Sequence, residues 1–167
     1  MLVFVEGPDG TGKTTLINNI CSAKNVKHIF GIHKDAPRQY LLWKCLIETC
    51  VESDEIFIVD RCFISDWAYR VAVKDGKPYM SFSEMCTLLQ LDTKNVVYVF
   101  CNNDNAYINA VERGEDYICD ECVHDRLTGC YDFIADTLKN YCGCKVLRFD
   151  FAKDNIYSLY KDIVGVI

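Results

Sequence analysis

Apolar residues recur along this chain in two alternating patterns. Short, β-branched-rich runs are separated by longer stretches in which apolar positions return every three or four residues. The short runs predict strands over 2–5, 28–32, 55–60, 95–100 and 145–149, and the longer stretches predict helices over 13–22, 37–51, 64–74, 81–91, 104–113, 120–141 and 154–164. Lys74-Asp75-Gly76-Lys77-Pro78 reads as a turn, and Ser81 or Ser83 as the cap of the helix that follows. Strands that alternate with helices imply an α/β fold, with a parallel sheet joined by right-handed crossovers. Strands apolar on both sides imply helices on both faces of that sheet. Ligands of such sheets bind beyond the carboxyl ends of the strands, an edge that receives Gly7, Asp60 and Cys101. No repeat, low-complexity tract or linker interrupts the pattern, so one domain is expected over 1–167.

The turn after the first strand carries chemistry. Gly7-Pro8-Asp9-Gly10-Thr11-Gly12-Lys13-Thr14 matches the phosphate-loop pattern G-x-x-x-x-G-K-[ST] at every fixed position, between an expected strand and an expected helix. Gly7, Gly10 and Gly12 let the backbone bring its N–H groups against phosphate oxygens. The helix N-terminus adds a positive dipole, with Thr11, Thr14 and Thr15 in its approach and first turn. Lys13 is suited to the β- and γ-phosphates of ATP, and the Thr14 hydroxyl to Mg²⁺.

A second cluster lies at the end of the third strand, where Asp60-Arg61 precedes Cys62-Phe63-Ile64-Ser65-Asp66-Trp67-Ala68-Tyr69. If the first and third strands are neighbours, an acid and a guanidinium stand beside the phosphate loop. Asp60 can then hold Mg²⁺ directly or through water, and Arg61 can clamp a second phosphate group. Ser65 and Tyr69, four apart, share one helix face. The plainer reading makes Asp60 a helix cap and Arg61 a local ion-pair partner.

These two stretches resemble the thymidylate kinase family. Glu6-Gly7-Pro8-Asp9-Gly10-Thr11-Gly12-Lys13-Thr14-Thr15 is similar to that family's E-G-x-[DE]-G-x-G-K-T-T, and Asp60-Arg61 through Ser65 to Ala68-Tyr69 to its D-R-x-x-x-S-x-x-A-Y. Length and element order extend the resemblance over nearly the whole chain. It implies a three-layer P-loop kinase fold with a short lid at about 110–120. It also implies transfer of the ATP γ-phosphoryl group to a deoxynucleoside monophosphate, dTMP first, with Mg²⁺. Carried over, Lys13 and the loop amides hold ATP, and Thr14 and Asp60 serve the metal. Asp9 binds the sugar 3′-hydroxyl or a phosphate-bound magnesium. Arg61 binds the acceptor phosphate, and Tyr69 sits against the sugar where a 2′-hydroxyl would clash. Such transfer rests on positioning and charge neutralisation, so Lys13, Arg61 and Arg113 are the expected catalytic cations. Some members carry a catalytic Arg in the phosphate loop right after the acid. Here that position is Gly10, which favours a lid arginine, Arg113, beside a hinge at Gly114. The alternative makes Arg113 the end of an ordinary helix.

The chain departs from the family in two places. Ser65-Asp66 is similar instead to the E-R-S-x-x-S-D stretch of deoxynucleoside kinases, whose Asp lies near the base. An ionised Asp66 accepts hydrogen bonds only, which suits the cytosine amine better than the thymine O4, unless a neighbouring Arg neutralises it. The region between 22 and 55 is short, so Arg38 and Trp43 are the candidates for the missing phosphate-binding Arg and base-stacking aromatic, or else a solvated Arg and a core Trp.

Bulk composition narrows the rest. The 167 residues are 50% hydrophobic, enough to fill a core, and carry a net charge of −6. An acidic chain is a poor match for nonspecific nucleic-acid polymers or membrane surfaces, so small nucleotides are the expected partners. No run is long enough for a membrane span and strand sequence begins at residue 2, which leads us to expect a cytoplasmic protein. The eleven cysteines then read mostly as buried thiols, although Cys119-x-x-Cys122-x-His124 with Cys130 admits a weak zinc alternative. A homodimer is possible by analogy with the family.

Two other functions fit parts of the sequence. A deoxynucleoside kinase needs a general base at the end of strand two, where His33 and Asp35 are the choices. A GTPase-like binding module would carry an N-K-x-D motif, but Cys101-Asn102-Asn103-Asp104 lacks the Lys.

Overall fold

The computed structural model describes residues 1–22, 25–33, 36–73, 78–114 and 120–165. Five parallel strands form one sheet: β1 (Leu2–Glu6), β2 (Val26–Phe30), β3 (Ile56–Asp60), β4 (Val96–Asn102) and β5 (Lys145–Asp150), in the order β2-β3-β1-β4-β5. The connecting helices are α1 (Lys13–Cys21), α2 (Gln39–Val51), α3 (Phe63–Ala72), α4 (Phe82–Leu89), α5 (Ala106–Glu112), α6 (Glu121–Tyr141) and α7 (Ile156–Val164).

Strand periodicity divides the core. Leu2, Phe4, Val59, Val96 and Tyr98 face one side of the sheet, where α2, α3, α4 and α6 cover them with Trp43, Ile47, Phe63, Ile64, Leu88 and Leu127. Val3, Val5, Ile58, Val97 and Val99 face the other, against Leu16, Ile17 and Ile20 of α1 and Leu159 and Ile163 of α7. All five β1 residues are buried because both of its faces are covered. This is the three-layer α/β architecture of the P-loop kinases, and every expected element is present.

Its boundaries are set by local contacts. β2 starts and ends two residues earlier than the apolar run suggests, because Val26 to Phe30 pair with Ile56 to Asp60. Gly31 then presses against the Arg61 carbonyl, which lies 2.8 Å from where a Cβ would stand. α2 begins at Gln39 rather than 37, since Arg38 adopts a left-handed backbone (φ 57°) that breaks the helix. α4 is capped by Ser81, whose hydroxyl and Glu84 carboxylate form a reciprocal capping box. α5 ends at Glu112, and the second half of the expected lid, residues 115–119, lies outside the described residues. Among the described residues no helix is long and apolar enough to cross a membrane.

β1 and β3 are adjacent, with Val5 opposite Asp60. α1 leaves β1 on one face of the sheet while α3 leaves β3 on the other. The chain therefore opens a crevice at the carboxyl ends of these two central strands, the place where open α/β sheets bind ligands.

Candidate active site

The phosphate loop, residues 7–12, connects β1 to α1. Its tight path needs glycine most clearly at Gly10 (φ 80°), where a Cβ would stand 2.0 Å from the Ala106 carbonyl oxygen of α5. The Asn109 side chain donates to the Gly10 carbonyl at 3.1 Å, so α5 braces the crest of the loop. The Thr11 hydroxyl donates to Pro8 O at 2.9 Å and is buried. Lys13 is only 6% exposed, and its Nζ donates to the same Pro8 carbonyl at 2.5 Å. Burial, aided by nearby Arg61, lowers the Lys13 pKa to about 8. Thr14 and Thr15 stand exposed in the first turn of α1.

The turn after β3 is pinned to that loop. Arg61 has a positive φ of 65°, unusual for a residue with a side chain, and two contacts hold it there. Its own N–H continues the sheet ladder to Val5 O at 3.1 Å, and the next N–H, that of Cys62, donates to the Glu6 carboxylate at 2.5 Å. The turn aims the guanidinium at the loop. Arg61 pairs with Asp9, and its other nitrogen donates to Gly7 O at 3.4 Å, Ser65 Oγ at 3.3 Å and the Tyr131 hydroxyl at 3.3 Å. Tyr69 donates its hydroxyl to the second Asp9 oxygen, and the Arg61 guanidinium lies 5.2 Å from the Tyr69 ring centre. Burial disfavours the Arg61 charge, but Tyr131, Tyr69, Asp9 and Glu6 outweigh it and keep the group charged. Burial pushes the Tyr69 hydroxyl up, which keeps it a donor.

Asp60 stands beside this turn, and its Oδ1 is buried without a hydrogen-bond partner among the described residues. An orphaned carboxylate oxygen is costly to bury and is suited to a cation or a donor supplied by a ligand.

A cavity of about 490 Å³ opens from these residues. That volume suits a nucleotide-sized ligand. Asp9, Asp60, Arg61 and Ser65 line the end next to the loop, while Asp66, Tyr69 and Arg70 of α3 line another side. Asp66 accepts from Arg70 Nε at 2.9 Å, and the Arg70 guanidinium lies 3.6 Å from the Tyr79 ring centre. The carboxylate expected to choose a base is therefore already neutralised by a neighbour one helical turn on.

The structure thus brings together Lys13, Asp9, Asp60, Arg61, Ser65, Asp66 and Tyr69. Three other candidates stand differently. Trp43 is 2% exposed, with its ring wedged edge-on against Phe4 and Phe63, so it forms part of the cavity wall but offers no free face for stacking. Arg38 is exposed and is not among the cavity-lining residues. Arg113 is exposed at the end of α5, followed by Gly114 in the left-handed conformation (φ 69°) that commonly terminates helices. Of the alternative base candidates, His33 is exposed and Asp35 lies outside the described residues. Of the thiol cluster, Cys122 is exposed in the first turn of α6, Cys130 is half-buried and Cys119 lies outside the described residues.

Sequence reasoning left several residues unassigned. Glu6 is fully buried and holds the Asp-Arg turn, although it was legible as a member of the loop motif. Gln39, Arg70 and Phe30 line the cavity, and the Tyr131 hydroxyl of α6 accepts from Arg61. Arg70, one helical turn after Asp66, has a local signal in that spacing, while the other three arrive from elements whose position depends on packing.

No protein-family model matches the sequence, and no curated protein matches it. Solved structures do share its fold. The YorR protein from Bacillus subtilis, in complex with phosphorylated GDP, superposes with a TM-score of 0.73 at 18% identity, over 99% of this chain and 95% of the other. Deoxyadenosine kinase from M. mycoides with bound dCTP gives a TM-score of 0.61 at 16% identity over 100% of both chains. Thymidylate kinase from Ehrlichia chaffeensis gives 0.55 at 17% identity over 99% of this chain and 97% of that one. The last two are of the kinds that the sequence motifs resemble.

Proposed function

We propose that this protein is a nucleotide kinase that transfers the γ-phosphoryl group of ATP to a deoxynucleoside monophosphate, with dTMP as the leading acceptor. The observation that carries this reading is that Asp9 of the phosphate loop, its ion-pair partner Arg61 and Asp60 line one nucleotide-sized cavity. Likeness in fold to a thymidylate kinase and to deoxyadenosine kinase supports the class.

In this reading Lys13 and the loop amides bind the ATP phosphates, and Arg61 binds the acceptor phosphate. Tyr69 and Asp9 border the sugar. Arg113, on the segment that leads into residues 115–119, completes the cation set when that segment closes over ATP. The donor oxygens suit Mg²⁺, a hard cation that takes oxygen ligands, and the buried Oδ1 of Asp60, without a partner among the described residues, would hold it with the exposed Thr14 hydroxyl. Bound there, magnesium would neutralise charge on the phosphates. A monophosphate acceptor is already a nucleophile, so no general base is needed. Among the described residues the ladder partner of Asp60 at the end of β2 is Phe30, not a carboxylate, in keeping with a monophosphate acceptor that needs no base.

The Asp66–Arg70 pair supports thymine. Arg70 supplies donors for a carbonyl such as O4, while Asp66 keeps an acceptor for the ring N3–H. Cytosine is the second reading, because the same pair can meet its amine and ring nitrogen in the reverse roles. An ADP-release assay with ATP and Mg²⁺, run against dTMP, dUMP, dCMP, thymidine and deoxycytidine, tests the proposal. Turnover with dTMP above the others is expected. Turnover with nucleosides alone overturns it, as does none with any acceptor. Small nucleotides are the proposed partners, and a homodimer and a cytoplasmic location remain proposals of the same reading.

A further inference from the structure

Phe30 is 84% exposed, yet it lines the cavity. It is the last residue of edge strand β2 and the direct ladder partner of Asp60. Partners in a parallel ladder project to the same face of the sheet, so the Phe30 ring and the Asp60 carboxylate emerge side by side. Gly31 fixes this placement, because its close approach to the Arg61 carbonyl ties the exit of β2 to the Asp-Arg turn. The His28 ring, two residues earlier on the same strand face, supports Phe30 from behind at 5.0 Å between ring centres. An isolated exposed aromatic on a protein surface needs no explanation. This one stands at the rim of a nucleotide-sized cavity, next to a buried carboxylate oxygen with no partner among the described residues, at an end that Asp9, Asp60, Arg61 and Ser65 make polar and charged.

We propose that Phe30 covers the sugar–phosphate end of the bound acceptor and excludes water from the transfer centre, so that it sets the choice between acceptor and water. This rests on the nucleotide kinase reading. The competing reaction is hydrolysis. Water attacks the γ-phosphorus, the bond from that phosphorus to the β,γ-bridging oxygen breaks, ADP leaves, and the proton of the attacking water passes to solvent. In productive transfer the attacking atom is an acceptor phosphate oxygen. An apolar ring over that oxygen leaves no room for water beside it. A cover of this kind contributes little to ATP binding and more to acceptor binding.

The test pairs a binding measurement with a partition measurement on the full chain. In Phe30→Trp, added dTMP should shift the fluorescence of the introduced indole, read as the difference from wild type, while calorimetry reports dTMP binding in both. In Phe30→Ala, the inorganic phosphate formed per acceptor phosphorylated should rise at least 5-fold. The KM for dTMP should rise with the KM for ATP unchanged, and Phe30→Leu should restore most of the partition. If dTMP binds but leaves the Phe30→Trp fluorescence and the Phe30→Ala partition unchanged, the inference fails and the kinase reading stands. If dTMP does not bind to the wild type, both fail.

Discussion

Glu6 accepts the Ser65 hydroxyl at 2.5 Å, joining the last residue of β1 to the first turn of α3 inside the core. Its other carboxylate oxygen takes the Cys62 N–H, so one side chain holds the root of the phosphate loop and the turn that presents Arg61. Ser65 in turn meets the Tyr131 hydroxyl at 2.7 Å, which carries the network to α6.

Replacing Glu6 tests that network. Glu6→Ala leaves the Cys62 N–H buried without an acceptor and should destabilise the fold by roughly 2–4 kcal/mol, read by urea denaturation. Glu6→Gln keeps the shape and should cost less, but loosening Arg61 should raise the acceptor KM several-fold with the KM for ATP unchanged. Burial raises the Glu6 pKa above the ordinary 4.5. The folded state therefore holds that proton to higher pH than the unfolded chain. Its contribution to stability falls as pH rises from 4.5 through the folded value. This slope should be missing in Glu6→Gln.

On the proposed reading, Lys13→Met should lower kcat/KM for ATP by at least about 100-fold, because the loop keeps its amides but loses the charged phosphate ligand assigned to it. Calorimetry with a non-hydrolysable ATP analogue should show the same loss of binding. Retention of affinity would separate Lys13 from the donor site.

Arg113→Ala should reduce kcat by about ten-fold with little change in stability, since the side chain is exposed in the free protein and in the proposed mechanism acts on closure. Steady-state kinetics with saturating ATP and acceptor reads this directly, and an unchanged kcat removes Arg113 from the mechanism.

Arg70→Gln should raise the KM for dTMP about ten-fold by withdrawing the donor to the base and releasing Asp66. The freed carboxylate should improve dCMP relative to dTMP, which parallel kcat/KM measurements would detect. Asp66→Asn, which leaves Arg70 without its carboxylate, should move the preference the other way.

Trp43→Leu should register in stability before catalysis. A buried indole between Phe4 and Phe63 is a core member, and its truncation should cost about 2–4 kcal/mol in denaturant titration. A dominant effect on the acceptor KM would instead reinstate it as a stacking residue.

The sequence by itself determined the element order, the phosphate loop and the Asp60-Arg61 turn. These are local signals: period-2 and period-3.6 apolar spacing, and a glycine-rich turn whose backbone path admits few side chains, as at Gly10. Only the tertiary structure decided which side chains share the cavity. For Trp43 and Arg38 the sequence admits a site reading and a core-and-solvent reading equally. Packing sends one into the core, and the left-handed backbone leaves the other exposed. For Asp66 the sequence allows both a base-reading carboxylate and one neutralised by a neighbouring Arg, and α3 sets Arg70 beside it, whereas Phe30 gains its place from strand register rather than from any motif. Contacts between residues far apart in the chain depend on how layers stack and strands align. Chain spacing constrains that only within one element, so the motif residues were legible and their partners were not.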